Sequence, residues 1–322
     1  MKAYVYGPNG AAITDVAKPA PKGTQVLVRV HACGLNRADL GMTKGHAHGR
    51  AGGAGTVLGM EWAGEVAEVG PQAKGVKPGD KVMGSGGAAF AEYTLADHGR
   101  LFRTPSNMNF VDAATLPVAL ATMHNAVVTN GALEPGQSVL IQGASSGVGL
   151  MALQIAKLKG AGLVIGSSTD AVRRGRLKDF GADLAVDSSD PGWVDQVLKA
   201  TGGEGVDLIV DQVSGKVANQ NLAATRIKGR IVNVGRLGGT HADFNFDLHA
   251  ARRINYIGVT FRTRSIEEIR EIFDEVRKDI WPAVESRKLQ LPIDKVFAFD
   301  DIGKAFEHME ANRHLGKIVV TL

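Results

Sequence analysis

Residues 138–160 read SVLIQGASSGVGLMALQIAKLKG. Val139, Leu140 and Ile141 are a short apolar run of the kind a buried strand needs. Gly143, Ala144, Ser145, Ser146, Gly147, Val148 and Gly149 follow, a turn without large side chains. Val148, Met151, Ile155 and Leu158 then recur at helical spacing, with Lys157 and Lys159 off that stripe. Strand, glycine-rich turn and helix are the setting of a dinucleotide fingerprint, here AxxGxG on Ala144, Gly147 and Gly149. Small residues let the backbone approach a pyrophosphate, and the free N–H groups and dipole of the helix start favour its charge. A purely structural turn is the competing reading, and the βα units that follow weigh against it. Residues 144–149 are therefore read as cofactor-binding.

Downstream, strands and helices alternate. A strand at 163–167 precedes a helix at 171–180 that ends at Gly181. A strand at 184–187 precedes Asp190-Pro191, read as an N-cap and a first helical proline. Strand 206–211, helix 218–225 and strands 230–234 and 254–260 complete the series. Such alternation predicts a parallel, doubly wound sheet and an α/β fold.

Upstream, residues 1–69 are glycine-rich and strand-like. Residues 25–30, QVLVRV, alternate with period two, which predicts one wet face. Turn signals at Gly70-Pro71 and Pro78-Gly79-Asp80, and a strand at 89–95, predict a small irregular β-barrel. Residues 113–128 are helical in character, with Pro117 as an interruption. After the alternating region come an amphipathic helix at 265–277, with Ile266, Ile269, Ile272, Phe273 and Val276 on one side, a helix at 302–311 and a strand at 317–322. The predicted organisation is a barrel domain of residues 1–118 and 262–322, with a nucleotide-binding domain of 119–261 inserted.

A net charge of +4 without a run of five like charges suits an enzyme that binds a phosphorylated cofactor. The absence of an aromatic-rich basic groove argues against nucleic acid as the partner. The single cysteine, Cys33, excludes internal disulfides and zinc sites built on several thiolates. The start lacks an apolar signal core and no stretch of 18 apolar residues occurs, so a cytoplasmic location away from membranes is expected.

Several motifs together resemble the medium-chain dehydrogenase/reductase superfamily, and within it the zinc-independent quinone oxidoreductases. They are residues 33–40 (CGLNRADL), Gly59-Met60-Glu61, residues 77–82 (KPGDKV), Ala91-Glu92-Tyr93, the 144–149 turn, residues 262–265 (RTRS), residues 309–312 (MEAN) and residues 316–319 (GKIV). The resemblance runs along essentially the whole chain. It implies a GroES-like barrel beside a Rossmann sheet, and a homodimer paired through the strand at 254–260. Where zinc alcohol dehydrogenases carry Cys, His and Cys ligands, this chain has Asn36, Met60 and a residue near Val118, which offer no zinc site. No metal is expected. Cys33 reads as a small buried thiol, and His46 and His48 as solvent-facing or as flanking a substrate cleft.

The second Rossmann strand ends Gly166-Ser167-Ser168-Thr169 without the acid that grips the ribose of NAD. Arg173, Arg174 and Arg176 follow, and hydroxyls beside a guanidinium suit a 2′-phosphate, so NADPH is the expected cofactor. Ser167, Ser168 and Arg173 are its assigned contacts, Arg173 by its place in the family pattern. The resemblance further implies that the nicotinamide lies in a cleft near Asn36, Thr122, Val234, Gly235, Arg236 and Phe261, with Ser188 at the adenine and Lys317 at the phosphates. Asn36 and Thr122 are the candidate catalytic residues. Without a Lewis acid, the expected substrates are already electron-poor: quinones or α,β-unsaturated carbonyls. The alternative is a reductase of conjugated acids or acyl thioesters, with Arg236, Arg262 or Arg264 gripping the anionic group. A nucleic-acid-binding role, known among zeta-crystallin relatives, and a zinc alcohol dehydrogenase rank behind these.

Overall fold

The computed structural model describes residues 1–49 and 52–322. It divides into two compact units, one of residues 1–121 and 261–322, the other of residues 122–260.

The first unit opens with the hairpin β1 (Lys2–Gly7) and β2 (Gly10–Asp15). Strand β3 (Gln25–Gly34), helix α1 (Arg37–Thr43) and strands β4 (Glu61–Val69), β5 (Lys81–Ser85), β6 (Tyr93–Asp97) and β7 (Leu101–Arg103) follow. Helices α2 (Phe110–Ala113) and α3 (Pro117–His124) lead out of it. Pro117 does not interrupt α3 but starts it, where its missing N–H has no helical acceptor to lose. With the π-helical turn at Asn125–Asn130, residues Phe110–Asn130 are one run of mean hydropathy 1.2, long and apolar enough by composition to cross a membrane. In the fold, 72% of that apolar window is buried.

The second unit holds β8 (Ser138–Gln142), α4 (Gly147–Leu158), β9 (Leu163–Ser167), α5 (Ala171–Gly175), β10 (Leu184–Val186), α6 (Trp193–Ala200), β11 (Val206–Asp211), α7 (Ala218–Ala224), β12 (Thr225–Asn233), α8 (Phe246–Arg252) and β13 (Asn255–Gly258). Its six strands are all parallel, in the order β10-β9-β8-β11-β12-β13. The order reverses between β8 and β11, and the crevice outside the carboxyl ends of those two strands is where such sheets bind ligands.

The chain then returns to the first unit with α9 (Ile266–Asp279), α10 (Trp281–Glu285), β14 (Ile293–Ala298), α11 (Ile302–Glu310) and β15 (Lys317–Thr321). The last strand pairs antiparallel with β3, so the large sheet runs β14-β15-β3-β4-β5-β7, with β6 also on β3.

Several local expectations are corrected. Strand β3 keeps only part of the expected wet face: Arg29 is exposed and Gln25 half-buried, but Leu27 on the same side is fully buried, as are Val26 and Val28. The strand expected at 89–95 begins only at Tyr93. In α4, Val148 is half-buried and Leu158 exposed, while Leu150 and Leu153 join Met151 and Ile155 in the core. The helix after β9 stops at Gly175 and continues as a 3₁₀ turn, Leu177–Phe180. Asp190 does not cap α6. Its carboxylate accepts from Gly192 N–H two residues on, and the helix starts at Trp193. Ile266 is exposed, because it is the first residue of α9 and the buried face begins one turn later at Ile269.

Candidate functional site

In the second unit, the chain leaves β8 through Gly143, which has φ of +71°. Ser146 caps α4: its Oγ accepts from Gly149 N–H at 3.0 Å. A Cβ on Gly149 would stand 2.7 Å from Ala144 Cα, so only glycine lets the turn fold back on the helix start. First-turn N–H groups have no partner inside a helix, and with Gly149 taken by the cap, those of Gly147 and Val148 remain to meet an anion.

Buried polar side chains brace this turn from below. Ser167 Oγ accepts from Gly143 N–H at 3.0 Å and donates to Gln142 Oε1 at 2.6 Å. Gln142 Nε2 donates to Asn221 Oδ1 at 2.8 Å, and Asn221 Nδ2 donates to Asp211 Oδ2 at 3.0 Å. The other Asp211 oxygen takes the N–H groups of Val213 and Ser214 at 2.8 Å each. Burial pushes the Asp211 carboxyl upward, against these donors. The network joins the carboxyl ends of β8, β9 and β11, so the anion-facing N–H groups are fixed before any ligand arrives. Gln212 extends it, since its Oε1 lies 3.0 Å from Ser146 Oγ. The Val234-Gly235 turn docks on the same strand end through two N–H bonds to Asp211 O, at 2.8 and 3.1 Å. Arg236 Nη1 donates back to Val234 O at 3.3 Å. Residues 144–149, Ser167, Val234, Gly235 and Arg236 are thus all tied to the carboxyl ends of neighbouring strands.

At the end of β9, Ser168 Oγ lies 3.1 Å from Ser145 Oγ. Arg173 keeps 15% of its side chain exposed, with Nε 3.6 Å from Asp170. The Arg174 guanidinium reaches the strand end, donating to Ser168 O at 2.8 Å and to Asp187 at 3.0 Å. Ser189 and then Arg174 hold the Asp187 carboxyl below its usual range. Ser188, the next residue after Asp187, is half-buried. Thr122 is half-buried on α3.

A second cluster lies in the first unit. Gly34, at the end of β3, is in register with Glu61 at the start of β4 and with Val319 in the middle of β15, which brings the three strands together there. A Cβ on Gly34 would lie 2.7 Å from Glu61 Oε1. Lys317 and Glu61 form an ion pair with side chains 4% and 0% exposed. Asn36 Nδ2 donates to Glu61 Oε1 at 3.0 Å and approaches Gly34 O at 3.4 Å, while its Oδ1 accepts from Lys317 Nζ at 3.1 Å. Lys317 only donates and Glu61 only accepts, so the Asn36 amide has one way round and its spare capacity is an acceptor lone pair. Val118 N–H completes the Glu61 carboxylate at 2.9 Å. Lys317, assigned by resemblance to the cofactor phosphates, thus has its ammonium in this cluster. Phe261 is half-buried in the same unit.

Asp39 accepts from Asn36 N–H at 2.8 Å, is fully buried, and leaves Oδ1 without a partner. Burial, and after it the Glu61 charge, outweigh Asn36 N–H and Lys317 and push its carboxyl up to about 8. Cys33 is fully buried, donates to Ala89 O at 2.9 Å, and has its thiol pushed well up by burial. A disulfide-exchange reagent is therefore expected to label Cys33 only at the rate of unfolding; rapid labelling of the native protein would contradict this burial. His46 is exposed, and burial and then Arg262 lower the pKa of half-buried His48. Arg50 and Ala51 of that loop lie outside the described residues. Among the described residues, no three His, Cys, Asp or Glu side chains group to hold a metal.

The sequence reading missed Asp39, Gln142, Asp211, Gln212 and Asn221, and named Arg174 without assigning it a contact. The only signal for Gln142, Asp211 and Gln212 was a polar residue ending an otherwise apolar strand.

Residues 22–106 match the alcohol dehydrogenase GroES-like domain, and residues 147–278 match the zinc-binding dehydrogenase family. The chain is 30% identical over 312 residues to quinone oxidoreductase-like protein 2 of Mus musculus, covering 96% of this chain and 88% of that one. It belongs to the medium-chain dehydrogenase/reductase superfamily. Quinone oxidoreductase-like proteins are among the members of this superfamily that it resembles. A phenolphthiocerol/phthiocerol polyketide synthase of Mycobacterium tuberculosis is another relative, 30% identical over 96% of this chain. The chain spans 14% of that protein's length. Among solved structures, CurK enoyl reductase superposes with a TM-score of 0.87 at 25% identity, covering 99% of both chains.

Proposed function

We propose that this chain is a reductase that uses NADPH to reduce quinones or α,β-unsaturated carbonyl compounds. The observation that carries the cofactor reading is the end of β9, where the Ser145 and Ser168 hydroxyls sit beside the Arg174 guanidinium and no carboxylate ends the strand. When bound, the nicotinamide supplies a hydride. The chain's part is positioning. Gly147 and Val148 N–H groups receive the pyrophosphate charge, and the polar network beneath them holds their directions fixed. Ser145, Ser168 and the guanidiniums of Arg173 and Arg174 receive the 2′-phosphate. Asn36, its amide oriented by Lys317 and Glu61, offers an acceptor for an amide or hydroxyl hydrogen. Neither the Asn36 amide, nor Met60, nor Val118 is a donor fit for zinc, so the substrate must be electron-poor before it binds.

Arg173→Glu is expected to weaken NADPH binding up to about a hundredfold, the equivalent of roughly 1.5–3 kcal/mol from a charged hydrogen bond, and to leave NADH nearly unchanged. Fluorescence titration with both cofactors measures this, and equal losses would remove the assignment. The likeness to CurK enoyl reductase favours one second reading, reduction of conjugated acyl thioesters with Arg236 meeting the anionic group. Parallel assays with an ortho-quinone, an uncharged enone and an enoyl thioester separate the two.

A further inference from the structure

A cavity of about 300 Å³ lies in the first unit, between the start of β3, the loop after β5 and the end of β6; of its lining residues, Ser85 is in register with Glu61. That is room for roughly ten waters. Arg100, in the 3₁₀ turn His98–Arg100, lines it. Its guanidinium stands over Gly86, with all three terminal atoms within 4.0 Å of where a Cβ on that residue would be. Among the described residues this guanidinium has no hydrogen-bond or ion-pair partner, and its Nε is buried unsatisfied. Burial lowers the pKa of Arg100, yet a guanidinium stays charged in proteins.

The nearest carboxylate is already engaged. Asp97 accepts from Thr24 Oγ1 at 2.7 Å, from Gly99 N–H at 2.9 Å, and from Arg270 Nε and Nη2 at 2.8 and 2.7 Å. Arg270 neutralises Asp97, and Arg100 is left as one uncompensated positive charge. A dianion would face Asp97, whereas a monoanion balances the site. A planar guanidinium with free N–H groups matches a carboxylate in two parallel bonds. Ser85 adds a hydroxyl to the lining, and Leu95 and Ile266 add apolar surface.

We propose that this cavity binds a small monocarboxylate, its carboxylate on Arg100 and its alkyl or aryl group against Leu95 and Ile266. The proposal is independent of the cofactor and substrate assigned above. The test uses sodium benzoate and sodium butyrate, with benzamide as the uncharged control, in calorimetric titrations of the whole chain. Wild type is expected to bind benzoate saturably and benzamide at least tenfold more weakly. Arg100→Gln should lose at least tenfold in benzoate affinity, and Arg100→Lys, which keeps the charge without the fork, should fall between. Arg103→Gln, on the surface, should match wild type. Because Arg100 has no partner to leave behind, Arg100→Gln should melt no lower than wild type without ligand, and benzoate should raise the melting temperature of wild type only. Equal benzoate binding by wild type and Arg100→Gln, or no saturable binding by wild type, would overturn the proposal.

Discussion

Lys317→Met is expected to cost about 3–5 kcal/mol of folding stability, because it leaves the Glu61 carboxylate buried without its counter-charge. Both side chains are almost fully enclosed, so water cannot replace the lost partner. The effect should appear as a lower urea midpoint at an unchanged slope. The double variant Glu61→Gln with Lys317→Met removes both charges, keeps an amide for Asn36 and Val118, and should recover much of the loss. If the single variant is as stable as wild type, the pair is solvated and the Asn36 amide is not held as described. The same change should be felt at Asn36 itself, since loss of Lys317 removes the donor that keeps its Oδ1 turned one way.

Asp39→Asn is expected to flatten the alkaline side of the stability profile. The Asp39 carboxyl has a folded value of about 8 against an ordinary value of 3.8, so between these values the folded protein holds a proton that the unfolded chain has released. Its contribution is full below about pH 4 and is lost as the pH rises through about 8, a change on the order of several kcal/mol at 1.36 kcal/mol per unit. Glu61, Lys317 and Cys33 are the charged and titratable groups that face it. Asparagine mimics the neutral carboxyl and can still accept from Asn36 N–H. The variant should therefore resemble wild type below about pH 4 and exceed it by a growing margin up to about pH 8, by denaturant midpoints at each pH. A variant that gains nothing over wild type between pH 4 and pH 8 would mean that Asp39 is ionised in the fold well below pH 8.

The series from β8 to β13 was legible because each apolar run was short, bounded by turn residues and followed by a helical stripe. The barrel strands were legible as a class but not in detail. Strand β3 has an alternating sequence, and Arg29 is exposed as that pattern predicts, yet Leu27 on the same side is fully buried, which the pattern does not show. The helix after β9 was expected to be continuous, and Gly175, with no Cβ and a high helical entropy cost, ends it early. Arg174 follows Arg173 in sequence, and no pattern says that its guanidinium meets Ser168 O and Asp187.

The residues alone determined the glycine-rich turn and the parallel βα series, and, at the positions the family resemblance implies, that Asn36, Met60 and Val118 cannot hold zinc. These follow from properties a residue carries everywhere: period, backbone freedom, donor type. The tertiary structure alone decided that Lys317 pairs with Glu61, that Asp39 is enclosed, and that Gln142, Asn221 and Asp211 form one network. Those partners are 256, 79 and 10 residues apart in the chain, and which side chains meet depends on strand order and register, which local sequence does not encode.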